Sequence, residues 1–130
     1  MLTYIIDDEA ISLFLTEQVL RQAGVTPPIR SFTEAEAALQ SLVSHLRTEV
    51  PNVILLDLNM PMMNGWEFLE ALAPHAAALA GRCHIYILTS SLALADTNRA
   101  KDFALVRGVI HKPLNEDEVQ GIRHAAKQFK

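Results

Sequence analysis

The sequence predicts an α/β domain in which a doubly wound, five-stranded parallel sheet is covered by helices on both faces. Strand-like and helix-like segments alternate five times along the 130 residues, a pattern typical of parallel strands joined by crossover helices. The run Val53-Ile54-Leu55-Leu56 is uninterrupted and apolar, as expected of a strand buried on both faces. A chain of this length can bury one core, so we expect a single domain.

Hydrophobic periodicity and helix-boundary residues place the individual elements. We predict strands at residues 2–6, 29–32, 53–57, 84–88 and 108–111. The predicted helices cover residues 9–23, 33 to before Pro51, 66–80, 93–105 and 116 onward.

Several helix boundaries and buried faces can be assigned to particular residues. Gly24 is expected to end the first helix, Thr33 and Glu36 to form a capping box, and Asn115 to cap the last helix. The side chains predicted to face the core are Ile11, Phe14, Leu15 and Val19 in the first helix, Leu39, Leu42, Val43 and Leu46 in the second, and Val119, Ile122, Ala126 and Phe129 in the last.

Composition excludes several classes of protein. The net charge is −4 and the basic residues are scattered, so we expect no direct binding of nucleic acid. Apolar runs are too short to span a bilayer, and the N-terminus lacks the basic segment of a signal peptide. Cys83 is the only cysteine, which precludes an internal disulfide and favours a cytoplasmic protein.

Polar side chains follow four of the five predicted strands. They are Asp7 and Asp8 after the first, Asp57 at the end of the third, Thr89 and Ser90 after the fourth, and Lys112 after the fifth. The carboxyl ends of parallel strands lie at one edge of the sheet, where ligands of such folds bind. The sequence therefore predicts one shared site at this edge.

The residue types at this edge favour a phosphoryl group and a divalent cation. Three carboxylates brought close together repel one another or recruit a cation, and oxygen ligands without His or Cys suit Mg²⁺. Lys112 can hold a phosphoryl oxygen, and Thr89 supplies a hydroxyl donor. Taken separately, the acids after the first strand could be dipole partners of a helix, and Thr89 with Ser90 could form a helix N-cap. Convergence at one edge favours the shared site.

These motifs together resemble the receiver domain of two-component response regulators, of the single-domain, chemotaxis-regulator-like type. The matching motifs are Asp7-Asp8, Asp57-x-Asn59-Met60-Pro61-x-Met63-Asn64-Gly65, Thr89-Ser90 and Lys112-Pro113. The resemblance extends over essentially the whole chain. It implies a flavodoxin-like three-layer sandwich with strand order 2-1-3-4-5, and residues 1–130 as one receiver domain without an output domain.

The resemblance also implies a role for each site residue. Asp57 would be the phosphoacceptor that attacks a phosphohistidine. Mg²⁺ would be bound directly by Asp8, by Asp57 and by the backbone carbonyl of Asn59, and through water by Asp7.

The same resemblance assigns the phosphoryl oxygens to Lys112, Thr89 and the backbone N–H of Ser90. It further implies a cis peptide bond between Lys112 and Pro113. An aromatic residue usually stands three positions before the lysine and rotates inward on activation. Val109 occupies that position, so we expect the surface change to be smaller or to be carried differently.

The implied partners are a sensor histidine kinase or phosphotransfer protein and an unidentified downstream protein target. The family resemblance implies a monomer or a phosphorylation-dependent dimer. It also implies no enzymatic activity beyond self-catalysed phosphoryl acceptance and loss.

Two other classes that share this sheet do not match the sequence. A flavodoxin-type flavin carrier needs a phosphate-binding loop after the first strand, where this chain has acids. A phosphatase of the haloacid dehalogenase type needs a carboxylate two residues after the nucleophile, where this chain has Asn59. A receiver-like interaction module that works without phosphorylation remains an alternative, favoured by Val109 and disfavoured by the intact acids and lysine. The chain can be a stand-alone receiver or a domain of a longer protein.

Overall fold

Five strands and six helices make up the computed structural model, which describes residues 1–91 and 93–127. The strands are β1 (Thr3–Ile6), β2 (Ile29–Phe32), β3 (Val53–Leu56), β4 (His84–Thr89) and β5 (Val106–His111). The helices are α1 (Ala10–Gln22), α2 (Ala35–Ser44), α3 (Gly65–Leu72), α4 (Ala76–Leu79), α5 (Leu94–Ala100) and α6 (Glu116–Ala126).

All five strands are parallel and lie in the order β2-β1-β3-β4-β5. This confirms the predicted doubly wound sheet and its strand order. In the register, Ile6 at the end of β1 lies beside Phe32 of β2 and Leu56 of β3. The residues that follow these strands therefore begin at the same edge of the sheet.

Alternation along the strands divides the core into two layers. On one face, Ile54 and Leu56 pack in a cluster with residues of α2, α3, α4 and α5. On the other face, Leu55 packs in a cluster with residues of α1 and α6. The sheet between two helical layers is the predicted three-layer sandwich. None of the described helices is long and apolar enough to cross a membrane.

The predicted core face of α1 was wrong at three of its four residues. Ile11, Phe14 and Leu15 are 75%, 59% and 50% exposed, whereas Val19 is partly buried and packs against the core. The side chains that face the core are Leu13, Thr16 and Leu20. Both sets have helical spacing, and the sequence pattern favoured the set with the larger apolar side chains. This leaves an apolar surface on α1 uncovered by the rest of the described chain.

The predicted start of α2 was also wrong. Glu34 is the N-cap and makes no side-chain capping hydrogen bond, so Thr33 and Glu36 do not form a capping box. Of the predicted core residues of α2, Leu42 is fully buried and Val43 is exposed. Leu39 and Leu46 are partly buried against the core.

Two other predicted helices differ in length from those of the structure. The helix expected at residues 66–80 is divided by a 3₁₀ turn at Ala73–His75, because Pro74 has no N–H to donate to the helical ladder. The helix expected at residues 93–105 ends at Ala100, and β5 begins earlier than predicted, at Val106.

The predicted ends of α1 and α6 are better matched. Gly24 adopts a positive φ of 93° just after α1, a conformation in which glycine is favoured. Val119 and Ile122 are buried in α6, as predicted, whereas the predicted core residue Phe129 lies outside the described residues. Asn115 caps α6, because its Oδ1 accepts from the Glu118 N–H at 2.8 Å while Glu118 accepts from the Asn115 N–H at 3.0 Å.

The N-caps assigned to α2 and α6 can be tested by substitution. Asn115→Ala removes a capping hydrogen bond and should lower the free energy of unfolding by about 1 kcal/mol. Thr33→Ala removes no capping bond and should change it by less than about 0.5 kcal/mol. Urea unfolding of the two variants and the unsubstituted protein measures both values. A larger loss for Thr33→Ala than for Asn115→Ala would contradict the assigned N-caps.

Candidate functional site

The carboxyl edge of the sheet brings two buried carboxylates side by side. Asp7 and Asp57 directly follow β1 and β3, and both are buried. The backbone ladder continues through them, because the Asp57 N–H donates to the Ile6 carbonyl at 2.9 Å and the Asp7 N–H donates to the Phe32 carbonyl at 3.0 Å. Sheet hydrogen bonds therefore fix the positions from which both side chains leave the backbone.

Asp8 completes an acidic cluster with these two residues. One carboxylate oxygen from each of Asp7, Asp8 and Asp57 lies within 4.8 Å of the others. A cluster of carboxylate oxygens without His or Cys has the ligand chemistry that Mg²⁺ prefers. The cluster therefore fits a magnesium ion.

Lys112 extends from the end of β5 into this cluster. Its Nζ donates to Asp7 Oδ2 at 2.7 Å and lies 3.8 Å from Asp57 Oδ2. The Lys112 N–H donates to the Thr89 carbonyl at 2.8 Å, which ties the end of β5 to the end of β4. The Lys112–Pro113 peptide bond is cis, as predicted. The lysine is thus paired mainly with Asp7.

The surroundings of Asp57 raise its pKa from 3.8 to about 6. Burial is the largest cause, and the charge of Lys112 opposes it. The charge of Asp7 raises the pKa further, the Asn59 N–H at 3.4 Å from Oδ1 lowers it, and the charge of Asp8 raises it. The carboxylate of Asp57 therefore lies in a site with too little positive charge, and a bound cation would relieve this deficit.

Thr89 lies at the same edge, but its hydroxyl is turned toward its own loop. Thr89 is buried, and its Oγ1 both accepts from the Ser91 N–H and donates to the Ser91 carbonyl at 3.2 Å. Ser90 is exposed and lines a groove together with Lys112. Asn59 is exposed at the rim after Asp57. The structure thus gathers the acids and the lysine, while the threonine hydroxyl bonds to Ser91.

The sequence pattern missed or only partly explained three features of the site: the hydroxyl of Ser12, the capping box of α3 and the close approach at Gly65. Ser12 donates its hydroxyl to Asp7 Oδ2 at 2.6 Å, and only its position in the first turns of α1 could have suggested this. Asn64 and Glu67 form the capping box that starts α3, a signal present in their spacing. At Gly65, a Cβ atom would lie 2.7 Å from the Asp57 carbonyl oxygen, so the lack of a side chain permits this close approach.

The uncovered surface of α1 borders a groove beside the site. Ile11, Leu15 and Val19 line it from α1, and Pro113 and Leu114 line it from the segment after β5. The groove has a volume of about 360 Å³, and Ser12, Ser90 and Lys112 also line it. An apolar groove therefore adjoins Ser12 and Lys112, both of which contact Asp7 of the acidic cluster.

In the opposite layer, α3 contacts α5 and the segment that follows it. Trp66 stacks on Phe103 with ring centroids 6.0 Å apart, and the Arg99 guanidinium lies 4.6 Å from the Trp66 ring centroid. Arg99 also pairs with Glu70 at 3.0 Å. Val109, at the position where the family carries an aromatic residue, packs partly buried against the same hydrophobic cluster as Trp66 and Phe103.

The chain belongs to the family of response regulator receiver domains. The sequence model of this family, described as the response regulator receiver domain, matches residues 3–122. Receiver domains are signalling modules of two-component systems and interact with histidine kinases or phosphotransfer proteins. Family membership and the acidic cluster together support a phosphoacceptor role for this chain. A comparison with curated proteins gave no match.

Solved structures of similar proteins agree with this assignment. A two-component response regulator from Cytophaga hutchinsonii is 27% identical with a TM-score of 0.90, over 97% of this chain and 96% of that one. A response regulator receiver protein from Dyadobacter fermentans is 32% identical with a TM-score of 0.78, over 99% and 97% of the two chains. A two-component response regulator from Legionella pneumophila, at 24% identity and a TM-score of 0.80 over 96% of each chain, shares the fold.

The raised pKa of Asp57 leads to a prediction about stability. Between about pH 4 and pH 6 the folded protein keeps a proton on Asp57 that the unfolded chain has released, so rising pH lowers the free energy of unfolding. Asp57→Asn removes this penalty and should stabilise the metal-free protein at pH 7.5, by at most about 3 kcal/mol. Urea unfolding with a chelator, measured from pH 4 to pH 7.5, tests both the sign and the window. Equal pH profiles for the two proteins would contradict the raised pKa.

Proposed function

We propose that this chain accepts a phosphoryl group on Asp57 from a phosphohistidine of a sensor kinase or phosphotransfer protein, with Mg²⁺ bound, and signals through altered protein contacts. The observation that carries the proposal is the position of the Asp57 carboxylate, buried at the sheet edge between two further acids and a lysine. Burial and the neighbouring acids leave this carboxylate poorly compensated, and the acyl phosphate formed on it would carry still more negative charge, so Lys112 and a bound cation are needed to balance the product.

In the proposed transfer, an Asp57 carboxylate oxygen attacks the phosphorus while the bond from phosphorus to the imidazole nitrogen breaks. The bonding electrons remain with the imidazole, and the product is an acyl phosphate on Asp57. Such a transfer requires in-line positioning and neutralisation of the phosphoryl oxygens. Lys112 supplies one positive charge. Its Nζ contacts Asp7 Oδ2 at 2.7 Å and lies 3.8 Å from Asp57 Oδ2, so a shift of Lys112 toward a phosphoryl group on Asp57 would loosen its contact with Asp7.

The metal-binding roles follow the family pattern. Asp8, Asp57 and the backbone carbonyl of Asn59 would hold Mg²⁺ directly, and Asp7 would hold it through water. When bound, Mg²⁺ neutralises negative charge on the phosphoryl oxygens.

We assign the response to phosphorylation to Thr89 and the loop that follows it. The hydroxyl of Thr89 would leave its two contacts with Ser91 and turn toward the phosphoryl group, joined there by the N–H of Ser90. Freeing Ser91 changes the segment that leads into α5. Because Arg99 on α5 contacts both Trp66 and Glu70 on α3, a shift of α5 would alter those contacts, with Val109 contributing no aromatic side chain.

The phosphodonor would dock on the apolar surface of α1. Ile11, Phe14 and Leu15 are exposed there, and the adjoining groove ends at Lys112 and Ser90. A donor must bring its phosphohistidine to Asp57, so it has to cover the surface beside the cluster. Contiguous exposed apolar side chains are typical of protein interaction sites.

Residues 1–130 would act as one receiver domain, a cytoplasmic signalling module rather than an enzyme, present as a monomer or as a phosphorylation-dependent dimer. Its output would be a contact with another protein, without direct binding of nucleic acid. A receiver-like module that works without phosphorylation is the second candidate, favoured by Val109.

Phosphoryl analogues distinguish the two candidates. Acetyl phosphate with Mg²⁺ should add one phosphoryl group to the intact protein, and beryllofluoride with Mg²⁺ should change the fluorescence of Trp66, the single tryptophan. Mass spectrometry and fluorescence measure these changes, and Asp57→Asn should abolish both. If neither reagent produces a change that depends on Asp57, the second candidate is correct.

The donor-docking surface can be tested separately from the chemistry. Phe14→Glu places a charge on the apolar surface and should slow transfer from a phosphorylated histidine kinase at least about tenfold, a loss typical of one important interface residue. Transfer from acetyl phosphate, which needs no docking surface, should be unchanged. Radiolabelled transfer assays with kinases that phosphorylate the unsubstituted protein measure the rates.

Val43→Glu provides the matched control, because Val43 is also apolar and exposed but lies on α2 in the opposite layer. It should retain the rate of transfer from the kinase. Equal slowing by both substitutions would count against a specific role of α1.

A further inference from the structure

Asp7 is held by three donors, of which one has no role in the proposed chemistry. Its Oδ1 accepts from the Glu9 N–H at 3.0 Å, and its Oδ2 accepts from Lys112 Nζ at 2.7 Å and from Ser12 Oγ at 2.6 Å. The Glu9 N–H is a donor from the local backbone, and Lys112 belongs to the family motif. Neither the local backbone nor the motif accounts for the hydrogen bond from Ser12.

We propose that Ser12 is a positioning residue that orients the Asp7 carboxylate for Mg²⁺ and allows Lys112 to leave Asp7 for the phosphoryl group. The second half of this inference rests on the proposed phosphoacceptor function. The first half concerns the acidic cluster alone.

The orienting role follows from where Ser12 lies. Ser12 belongs to α1, and its neighbour Leu13 is anchored in the core, so the hydroxyl is presented from a fixed element. Asp7 is buried and contributes an oxygen to the acidic cluster. A hydrogen bond from a fixed donor restricts rotation of the carboxylate and so keeps its free lone pairs in one orientation. Groups that hold a metal-binding side chain in this way contribute to metal affinity.

The role of Ser12 in releasing Lys112 follows from the single oxygen of Asp7 that both residues contact. Ser12 Oγ and Lys112 Nζ both donate to Asp7 Oδ2, while Lys112 Nζ lies 3.8 Å from Asp57 Oδ2. When Lys112 turns to a phosphoryl group on Asp57, Asp7 loses its charged partner but keeps the hydroxyl of Ser12. A buried carboxylate left with fewer donors is costly, so Ser12 lowers the free energy that this movement of Lys112 requires.

The test compares Mg²⁺ binding in four proteins by the chemical shifts of backbone amides in NMR titrations. Ser12→Ala should weaken Mg²⁺ binding roughly tenfold, and Ser12→Thr, which keeps the hydroxyl, should bind nearly as tightly as the unsubstituted protein. Ser44→Ala is the matched control, because it removes a helix serine whose hydroxyl bonds to the Gln40 carbonyl at 2.7 Å, on α2. It should leave the dissociation constant unchanged.

Equal Mg²⁺ dissociation constants for Ser12→Ala and the unsubstituted protein would overturn the inference. So would a Ser12→Thr variant that binds as weakly as Ser12→Ala. Urea unfolding of each variant shows whether it is folded under the conditions of the titration.

Beryllofluoride binding in the presence of saturating Mg²⁺ separates this inference from the proposed function. Ser12→Ala should also bind beryllofluoride more weakly. If the unsubstituted protein shows no beryllofluoride binding that depends on Asp57 but the Mg²⁺ difference is present, the phosphoacceptor proposal fails and the orienting role stands. If beryllofluoride binds equally to both proteins and the Mg²⁺ constants are equal, the role of Ser12 fails and the phosphoacceptor proposal stands.

Discussion

The interaction on which the site depends is the buried contact of Lys112 with Asp7, made beside Asp57. Parallel strands bring their carboxyl ends together, so acids that follow neighbouring strands have to lie close to one another. A single lysine cannot balance the three carboxylates of the cluster. Burial raises the pKa of Asp57, and the charges of Asp7 and Asp8 raise it further against the opposing charge of Lys112. The uncompensated negative charge is also the physical reason why the cluster suits a cation.

This electrostatic centre is connected to two different surfaces. Through Ser12 and Lys112 it adjoins the groove and the exposed apolar face of α1. Through Thr89, whose hydroxyl bonds to Ser91, it adjoins the loop that leads into α5. The two surfaces lie on opposite layers of the sandwich. In the proposed function, input from a donor and output to a target would therefore use separate faces of the sheet.

The sheet and its order could be predicted because strand-like and helix-like segments alternate regularly and family motifs mark the strand ends. Helix faces and ends were less predictable. In α1 the large apolar residues Ile11, Phe14 and Leu15 are exposed while Thr16 is buried. Both sets recur with helical spacing, so the spacing alone does not select the side of the helix that packs on the sheet. At Thr33 a capping pattern is present in the sequence, but the backbone places the N-cap at Glu34. Pro74 is present in the sequence, but the interruption of the helix expected at residues 66–80 was not predicted from it.

The fold class and the chemistry of the carboxyl edge could be derived from the sequence, because residue type and position after a strand are local properties. Which atoms meet is set by the packing of the folded chain. It paired Lys112 with Asp7 more closely than with Asp57, directed the Thr89 hydroxyl to Ser91, and brought Ser12 onto Asp7. These contacts depend on how a helix is rotated and how a side chain is turned, which packing fixes and residue spacing does not.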